Sequence, residues 1–338
     1  MNRARCDDLD YIQFLIAAQM VYSNTEAARC DPRVGVERPA HDAYTRLLRR
    51  QPPDSEALWD EVHSCIERDQ GLLVLDDSTL DKPYAQVMEL VTSHWSGKHR
   101  RVVRGINLVS LVWTAGDARY PCDFRLYDKA HDGLSKNDHF RQMVDSAHER
   151  GFVPELVAFD SWYASLDNLK AIRGHGWTWL TQLKSNRLVD LDGSGNRPLA
   201  QTLIGRTGSV VHLKGYGWIQ VFKLAAPNDS SEYWATSDLT MRLDQLADYV
   251  ARLWHIEEYH RSLKQFCGVE HAQHRSAIAQ RNHIGFALRA FLRLEYHRLQ
   301  SGISYYEAKT CIVRDAIRAY LSRPLYTCLL YTSDAADE

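Results

Sequence analysis

Apolar and polar positions divide this chain into stretches of different period. Residues 11–18 form an apolar, helix-tolerant run, and Ser23 offers an N-cap followed by good helix formers. Pro32 and Pro39 bracket a loop, after which residues 41–50 read as a further helix, so residues 1 to about 68 are expected to be helical. From Gly71 the period changes. Leu72-Leu73-Val74-Leu75 closes on Asp76-Asp77, and Leu156-Val157-Ala158-Phe159 closes on Asp160. Short continuous apolar runs ended by polar residues predict strands buried on both faces. Residues 106–113 and 120–127 are β-rich and joined by a hairpin signal at 114–119. Residues 135–151 predict a helix with Gly151 at its C-cap, followed by the strand at 156–160, a helix to about Arg173 and a strand at 177–183. This order describes a mixed sheet with helices packed on it.

Residues 184–237 differ in being rich in Gly, Ser, Asn and Pro, with short β-runs at 210–213, 218–224 and 233–236. They predict a β-rich insertion. Helical patterns return from Met241, through 278–299 and 304–321. The last residues, 328–338, break that pattern and resemble an in-frame translation of a sequencing-library adaptor, so the natural carboxyl terminus is expected to be truncated near Thr327. The expected organisation is a helical unit at 1–68, a core at 69–183, the insertion at 184–237, a second core part at 238–327 and the foreign tail at 328–338.

Composition narrows the function classes. The 338 residues are 45% apolar and 25% charged, which suits a soluble globular protein with a sizeable core. No apolar stretch approaches a membrane span, and the first residues lack an apolar signal region, which argues for the cytoplasm. Seven scattered cysteines without a C-x-x-C pair argue for free thiols and against a zinc ribbon. A net charge of −2 excludes a uniformly basic nucleic-acid binder. Basic residues still cluster locally, at Lys98, His99, Arg100, Arg101 and Arg104 and at Arg46, Arg49 and Arg50. From charge alone a solvated surface is the plainer reading, although such patches also bind phosphate. The short helix, loop and basic helix ending at Arg50 fit a helix-turn-helix and a plain helical bundle equally well.

The two aspartate-terminated runs carry the chemistry. If their strands lie side by side, the terminal carboxylates stand about 5 Å apart. Carboxylates that close repel unless a proton or cation lies between them, and oxygen-only ligands suit magnesium or manganese. Farther on, Leu243, Leu246, Val250 and Trp254 lie at helical spacing, and Glu257, Arg261 and Lys264 continue the same stripe. Either these ionisable groups meet a metal or substrate, or the stripe emerges into solvent with Glu257 and Arg261 as an ordinary i,i+4 pair. Taken alone the second reading is the plainer. Glu258 and Glu61 suit the surface of any helix.

Together these segments resemble insertion-sequence transposases of the DDE class, over roughly residues 11–321. Asp77-Ser78-Thr79 matches the first aspartate's D-x-[ST] context, Asp160 the second aspartate at a strand end, and Trp254-His255-Ile256-Glu257 with Lys264 the glutamate segment. The resemblance implies an α/β fold, an RNase H-like mixed sheet flanked by helices, with a β-rich insertion and an N-terminal helical domain. It implies Asp77, Asp160 and Glu257 as catalytic metal ligands, with the Asp76-Asp77 doublet leaving the first ligand open. It further implies two Mg²⁺ or Mn²⁺ ions, nicking at an element end and strand transfer by the freed 3′-hydroxyl. Arg261, Lys264 and His260 would contact DNA phosphates, with Lys184, Lys98, Arg100 and Arg101 as weaker candidates. Trp218 and Trp234 would be base-stacking candidates, a core role being the plainer reading for each. The implied partners are terminal inverted repeats and target DNA, bound by a homodimer at the nucleoid, with no membrane. The sequence departs from the pattern at Val250 and Leu253, where the family carries tyrosine and arginine; Tyr249 and Arg252 lie one residue earlier, roughly 100° around a helix. Two other readings fit: an element-derived protein that binds DNA ends without cutting, and a nuclease of the same fold without strand transfer.

Overall fold

A computed structural model describes residues 4–50, 55–96, 100–225 and 231–324. The amino-terminal segment is helical, as its pattern predicts: α1 (Asp8–Ala17), α2 (Asn24–Cys30), α3 (His41–Arg50) and α4 (Glu56–Val62). Asp7 starts α1 through a reciprocal capping box with Asp10, and the Ser23 hydroxyl caps α2.

The strands follow: β1 (Leu72–Asp81), β2 (Thr92–Ser96), β3 (Arg101–Ala115) and β4 (Ala118–Tyr127), then α5 (Lys136–Glu149), β5 (Leu156–Phe159), α6 (Leu166–Gly174) and β6 (Trp179–Leu183). Ser135 caps α5, and Gly151 takes φ +81° just beyond it, the left-handed conformation a helix end needs. The next strands are β7 (Leu188–Asp190), β8 (Arg197–Pro198), β9 (Ser209–Leu213), β10 (Gly217–Ala225) and β11 (Ser231–Thr236). The chain then returns to helices in α7 (Leu243–Phe266), α8 (Ala277–Ser301) and α9 (Tyr305–Ser322).

All strands join one sheet in the order β2-β3-β1-β5-β6-β11-β10-β9-β7-β8, with β4 also on β3. β1 runs antiparallel to β3 and parallel to β5, and β5 runs parallel to β6. The β-rich insertion does not form a layer of its own, because β11 pairs antiparallel with β6 and carries the sheet onward. The apolar start of β1 is fully enclosed, with Leu72 and Leu75 inaccessible. Gly71 enters the strand at φ +75°, where a Cβ would lie 2.7 Å from the Thr114 carbonyl oxygen, so no side chain fits there.

The amino-terminal helices share their core with α8. The Tyr11 hydroxyl meets His283 Nδ1 at 2.9 Å, Asn282 donates to the Leu48 carbonyl, and Arg289 bridges Asp8 and Glu61. The described cysteines are unpaired. No helix among the described residues is long and apolar enough to cross a membrane. Lys98, Cys328 and the tail 328–338 lie outside the described residues.

Candidate active site

Strand alternation separates the two aspartates of β1. Asp76 is paired across the sheet with Ser110, and Ser110 meets the Tyr259 hydroxyl of α7 at 3.1 Å. Asp76 therefore faces α7. Asp77 faces the opposite layer, where the Tyr163 hydroxyl donates to Oδ1 at 2.8 Å and Asn107 and Lys136 donate to Oδ2 at 2.6 and 2.8 Å. Burial opposes ionisation of Asp77, but the Lys136 charge and these donors outweigh it and hold the carboxyl below its ordinary range. Three of its roughly four acceptor positions are taken by protein donors.

Asp76 is the emptier of the two. It accepts no hydrogen bond from the described residues, and its nearest ionic partner is His260 Nε2, 3.6 Å from Oδ2. Leu75 pairs with Phe159 in parallel register, so Asp76 and Asp160 each stand one residue past that pair on adjacent strands. Asp160 Oδ1 accepts from the backbone N–H of Trp162 at 2.9 Å and, more weakly, from that of Tyr163 at 3.4 Å. Its carboxyl is pushed up to about 6, first by desolvation under the surrounding chain and then by the charges of Asp76 and Asp77. Asp76 has the larger effect of the two, in keeping with the register.

The α7 stripe does not lie as its periodicity suggests. Its enclosed line runs through Leu246, Ile256, Tyr259 and Leu263, while Trp254, Glu257 and Arg261 are exposed. Glu257 neighbours that line and sits one turn before His260, with no hydrogen bond or ion pair to any described residue. Glu258 is instead committed to an ion pair with Arg119, and Glu61 to Arg289 and Arg293. His260 is enclosed, yet neither ring nitrogen has a hydrogen-bond partner. The His260 imidazole and the Asp76 carboxylate beside it thus keep their hydrogen-bonding capacity for a bound group.

The proposed phosphate contacts divide. Arg261 and Lys184 are exposed and carry no hydrogen bond or ion pair among the described residues. Lys264 is engaged, donating to the Thr79 carbonyl at 2.7 Å and pairing with Glu270 at 3.1 Å. Lys82 strengthens the same latch from β1 to the segment after α7, donating to the Glu270 and Ala272 carbonyls; burial lowers its amine to about 8. The sequence reading missed both Lys82 and Glu270, whose partners are far away along the chain. Arg252 is bound in a two-pronged pair with Glu155, at 3.0 and 3.2 Å, over the Tyr249 ring. Arg100 and Arg101 are exposed at the start of β3. Arg46, Arg49 and Arg50 are exposed on α3 and line, with Arg5, an open cleft of about 910 Å³. Trp234 is enclosed in the sheet, whereas Trp218 is 57% exposed, four strands from β1. A third tryptophan, Trp162, was not singled out by the sequence and lies beside Asp160.

Two carboxylates on one face of the sheet are the oxygen donors that suit a hard divalent cation. Among the described residues, no three His, Cys, Asp or Glu side chains gather closely enough to hold a metal ion unaided.

Comparisons place this geometry. The fold is similar to a piggyBac transposase in a synaptic complex with hairpin DNA, with a TM-score of 0.55 and 11% identity over 97% of this chain and 74% of that one. A Drosophila P element transposase in a strand transfer complex aligns over 96% of this chain and 88% of its own at 10% identity, with a TM-score of only 0.27. No curated protein sequence matches the chain. Residues 67–292, well over half of the chain and including all of the strands described above together with Asp76, Asp77, Asp160 and Glu257, match the family of transposase DDE domains; the chain belongs to that family and is a DDE transposase.

Proposed function

We propose that this transposase cuts and rejoins DNA at an acidic site made of Asp76, Asp160 and Glu257, with Asp76 in the place that the sequence offset assigned to Asp77. The observation that carries this is the level placement of Asp76 and Asp160 past the Leu75–Phe159 pair, with no protein cation between them. The three protein donors already on Asp77, one of them the Lys136 ammonium, support the exchange. Glu257, unpaired and one turn from His260, is the third candidate ligand.

When bound, Mg²⁺ or Mn²⁺ would supply activation of the attacking oxygen and charge neutralisation at the leaving oxygen of an in-line displacement at phosphorus. The chain's own residues do the rest. Asp76 and Asp160 hold the negative field that draws the cations. His260 closes the α7 side of Asp76, its Nε2 3.6 Å from Oδ2. Arg261 and Lys184, exposed and without an anionic partner among the described residues, are placed to take DNA phosphates. Lys264, Lys82 and Glu270 keep α7 against β1, so Lys264 acts as a brace. The substrates under this reading are transposon ends and target DNA, with two copies of the chain acting together. The test is cleavage of a labelled duplex carrying the element's end in Mg²⁺, with Asp76→Asn, Asp77→Asn, Asp160→Asn and Glu257→Gln compared. Activity retained by Asp76→Asn and lost by Asp77→Asn would reverse the choice of first ligand.

A further inference from the structure

The three aspartates on β1 and after β5 are held to different degrees. Asp77 accepts from three side chains, and Asp160 from two backbone N–H groups. Asp76 accepts from none of the described residues, although a carboxylate that holds a cation has to be oriented as firmly as its partner. A donor stands close to it. His260 is 6% exposed, neither of its ring nitrogens has a hydrogen-bond partner, and Nε2 lies 3.6 Å from Asp76 Oδ2. The approach is built into the fold. Ser110 is the cross-strand neighbour of Asp76 and meets the Tyr259 hydroxyl at 3.1 Å, so the next residue of α7 comes to rest beside Asp76. Lys264, one turn farther along α7, is tied to the Thr79 carbonyl of the same strand at 2.7 Å. The helix is thus pinned to β1 on both sides of His260. A charge-assisted N–H···O bond is about 2.8 Å long, so a closure of about 0.8 Å completes one.

We infer that His260 is a positioning residue for the reaction: its Nε2–H donates to Asp76 Oδ2 when a cation binds, and leaves Oδ1 for the ion. This rests on the reading of Asp76 and Asp160 as the pair that holds the metal. The bond needs a proton on Nε2 only, which a neutral imidazole carries, so no charge on the ring is required. The imidazole touches the carboxylate and not the ion. Partners of this kind fix the orientation of a ligating side chain, and their loss commonly costs metal affinity or activity without touching the substrate.

The experiment uses the full chain and follows Mn²⁺ binding by electron paramagnetic resonance, together with cleavage of a labelled transposon-end duplex in Mg²⁺. His260→Leu, which fills the enclosed space without a donor, should lower Mn²⁺ affinity and the cleavage rate about 10- to 100-fold each and leave KM for the duplex unchanged. His260→Gln, whose side-chain amide reaches the place of Nε2, should restore most of both. His260→Asn, whose amide stops near the place of Nδ1, should not. A role in folding alone would move the urea midpoint and would not separate His260→Gln from His260→Asn. Bound Mn²⁺ should show no coupling to an imidazole nitrogen. Three results would overturn the His260 role: wild-type Mn²⁺ affinity and cleavage in His260→Leu, equal losses in His260→Gln and His260→Asn, or a nitrogen coupling that His260→Gln removes. If Asp160→Asn still abolishes Mn²⁺ binding in that case, the acidic pair stands and the His260 role alone falls. Mn²⁺ affinity unchanged by Asp76→Asn and Asp160→Asn alike would reject the acidic site and its positioning residue together.

Discussion

The Tyr163 hydroxyl donates to Asp77 Oδ1 at 2.8 Å, and this bond separates the roles of two aspartates that are neighbours along β1. With Asn107 and Lys136 on its other oxygen, Asp77 ties β1 to β3, α5 and the turn after β5. Asp77→Asn should cost about 1–3 kcal/mol of stability, since it leaves Lys136 without its counter-charge. Cleavage by the folded variant should stay within about 10-fold of wild type. Asp76→Asn should do the opposite, with little change in urea midpoint and a fall in metal-dependent cleavage of at least about 100-fold. Urea titration and initial rates on the same preparations check both.

Glu295 is enclosed in α8 and accepts from the Arg119 backbone N–H at 2.9 Å, from Arg298 and from the Tyr305 hydroxyl. It joins α8, α9 and β4 through one carboxylate. Glu295→Ala leaves those donors facing an apolar void and should destabilise the protein by about 3–5 kcal/mol. Chemical denaturation measures it.

Acid should weaken the fold through His283. Its Nε2–H donates to the Gly268 carbonyl and its Nδ1 accepts from the Tyr11 hydroxyl, so the ring is held neutral. Burial, its largest cause, lowers the imidazole from 6.5 to about 3. A depressed folded value means that the unfolded chain binds the proton first, so stability falls as pH drops below about 6.5 and the loss is complete near 3. At pH 5 the contribution of His283 should be about 2 kcal/mol lower than at pH 8, by the free energy of one pKa unit. A His283→Gln variant should show a shallower decline between those pH values in parallel urea titrations.

The α3 arginines give a prediction that is independent of catalysis. Replacing Arg46, Arg49 and Arg50 together by alanine should weaken duplex binding and reduce the slope of log K against log salt by up to about 3. These side chains are exposed and the enclosed Leu47 and Leu48 are left in place, so the melting temperature should barely move.

Much of the fold was legible because its period is strong. The runs at Leu72, Ile106, Tyr120 and Leu156 became strands, and His41–Arg50 became α3 at its expected bounds. β2 escaped notice because Thr92-Ser93-His94-Trp95-Ser96 is mainly polar and gives no alternation; only pairing with β3 makes it a strand. β7 and β8 are too short to carry a period. The acidic residues were visible one by one, but the choice between Asp76 and Asp77 was not. Thr79 stands at the motif's offset from Asp77, whereas the side each carboxylate faces depends on which helix covers which face of the sheet. The α7 stripe emerges into solvent, the plainer of its two readings, without the Glu257–Arg261 pair that reading included. Its line through Trp254 drifts out of the core, and the enclosed line passes through Ile256 and Tyr259. The engagement of Arg252 by Glu155 and of Lys264 by Glu270 and Thr79 joins segments far apart in sequence, which no local pattern reveals.

The central claim is that a carboxylate pair, Asp76 within β1 and Asp160 just past β5, holds the cations for phosphodiester chemistry. The measurement that tests it most directly is cleavage of a labelled transposon-end duplex by wild type and Asp160→Asn, each in Mg²⁺ and in EDTA, with binding followed in parallel. Asparagine keeps the shape of Asp160 and removes its charge, while duplex affinity comes mainly from cationic groups elsewhere. The account predicts cleavage by the wild type in Mg²⁺ alone, none by Asp160→Asn in either condition, and equal duplex binding by both. Cleavage that persists in EDTA, or an Asp160→Asn protein that cuts at the wild-type rate, would contradict it.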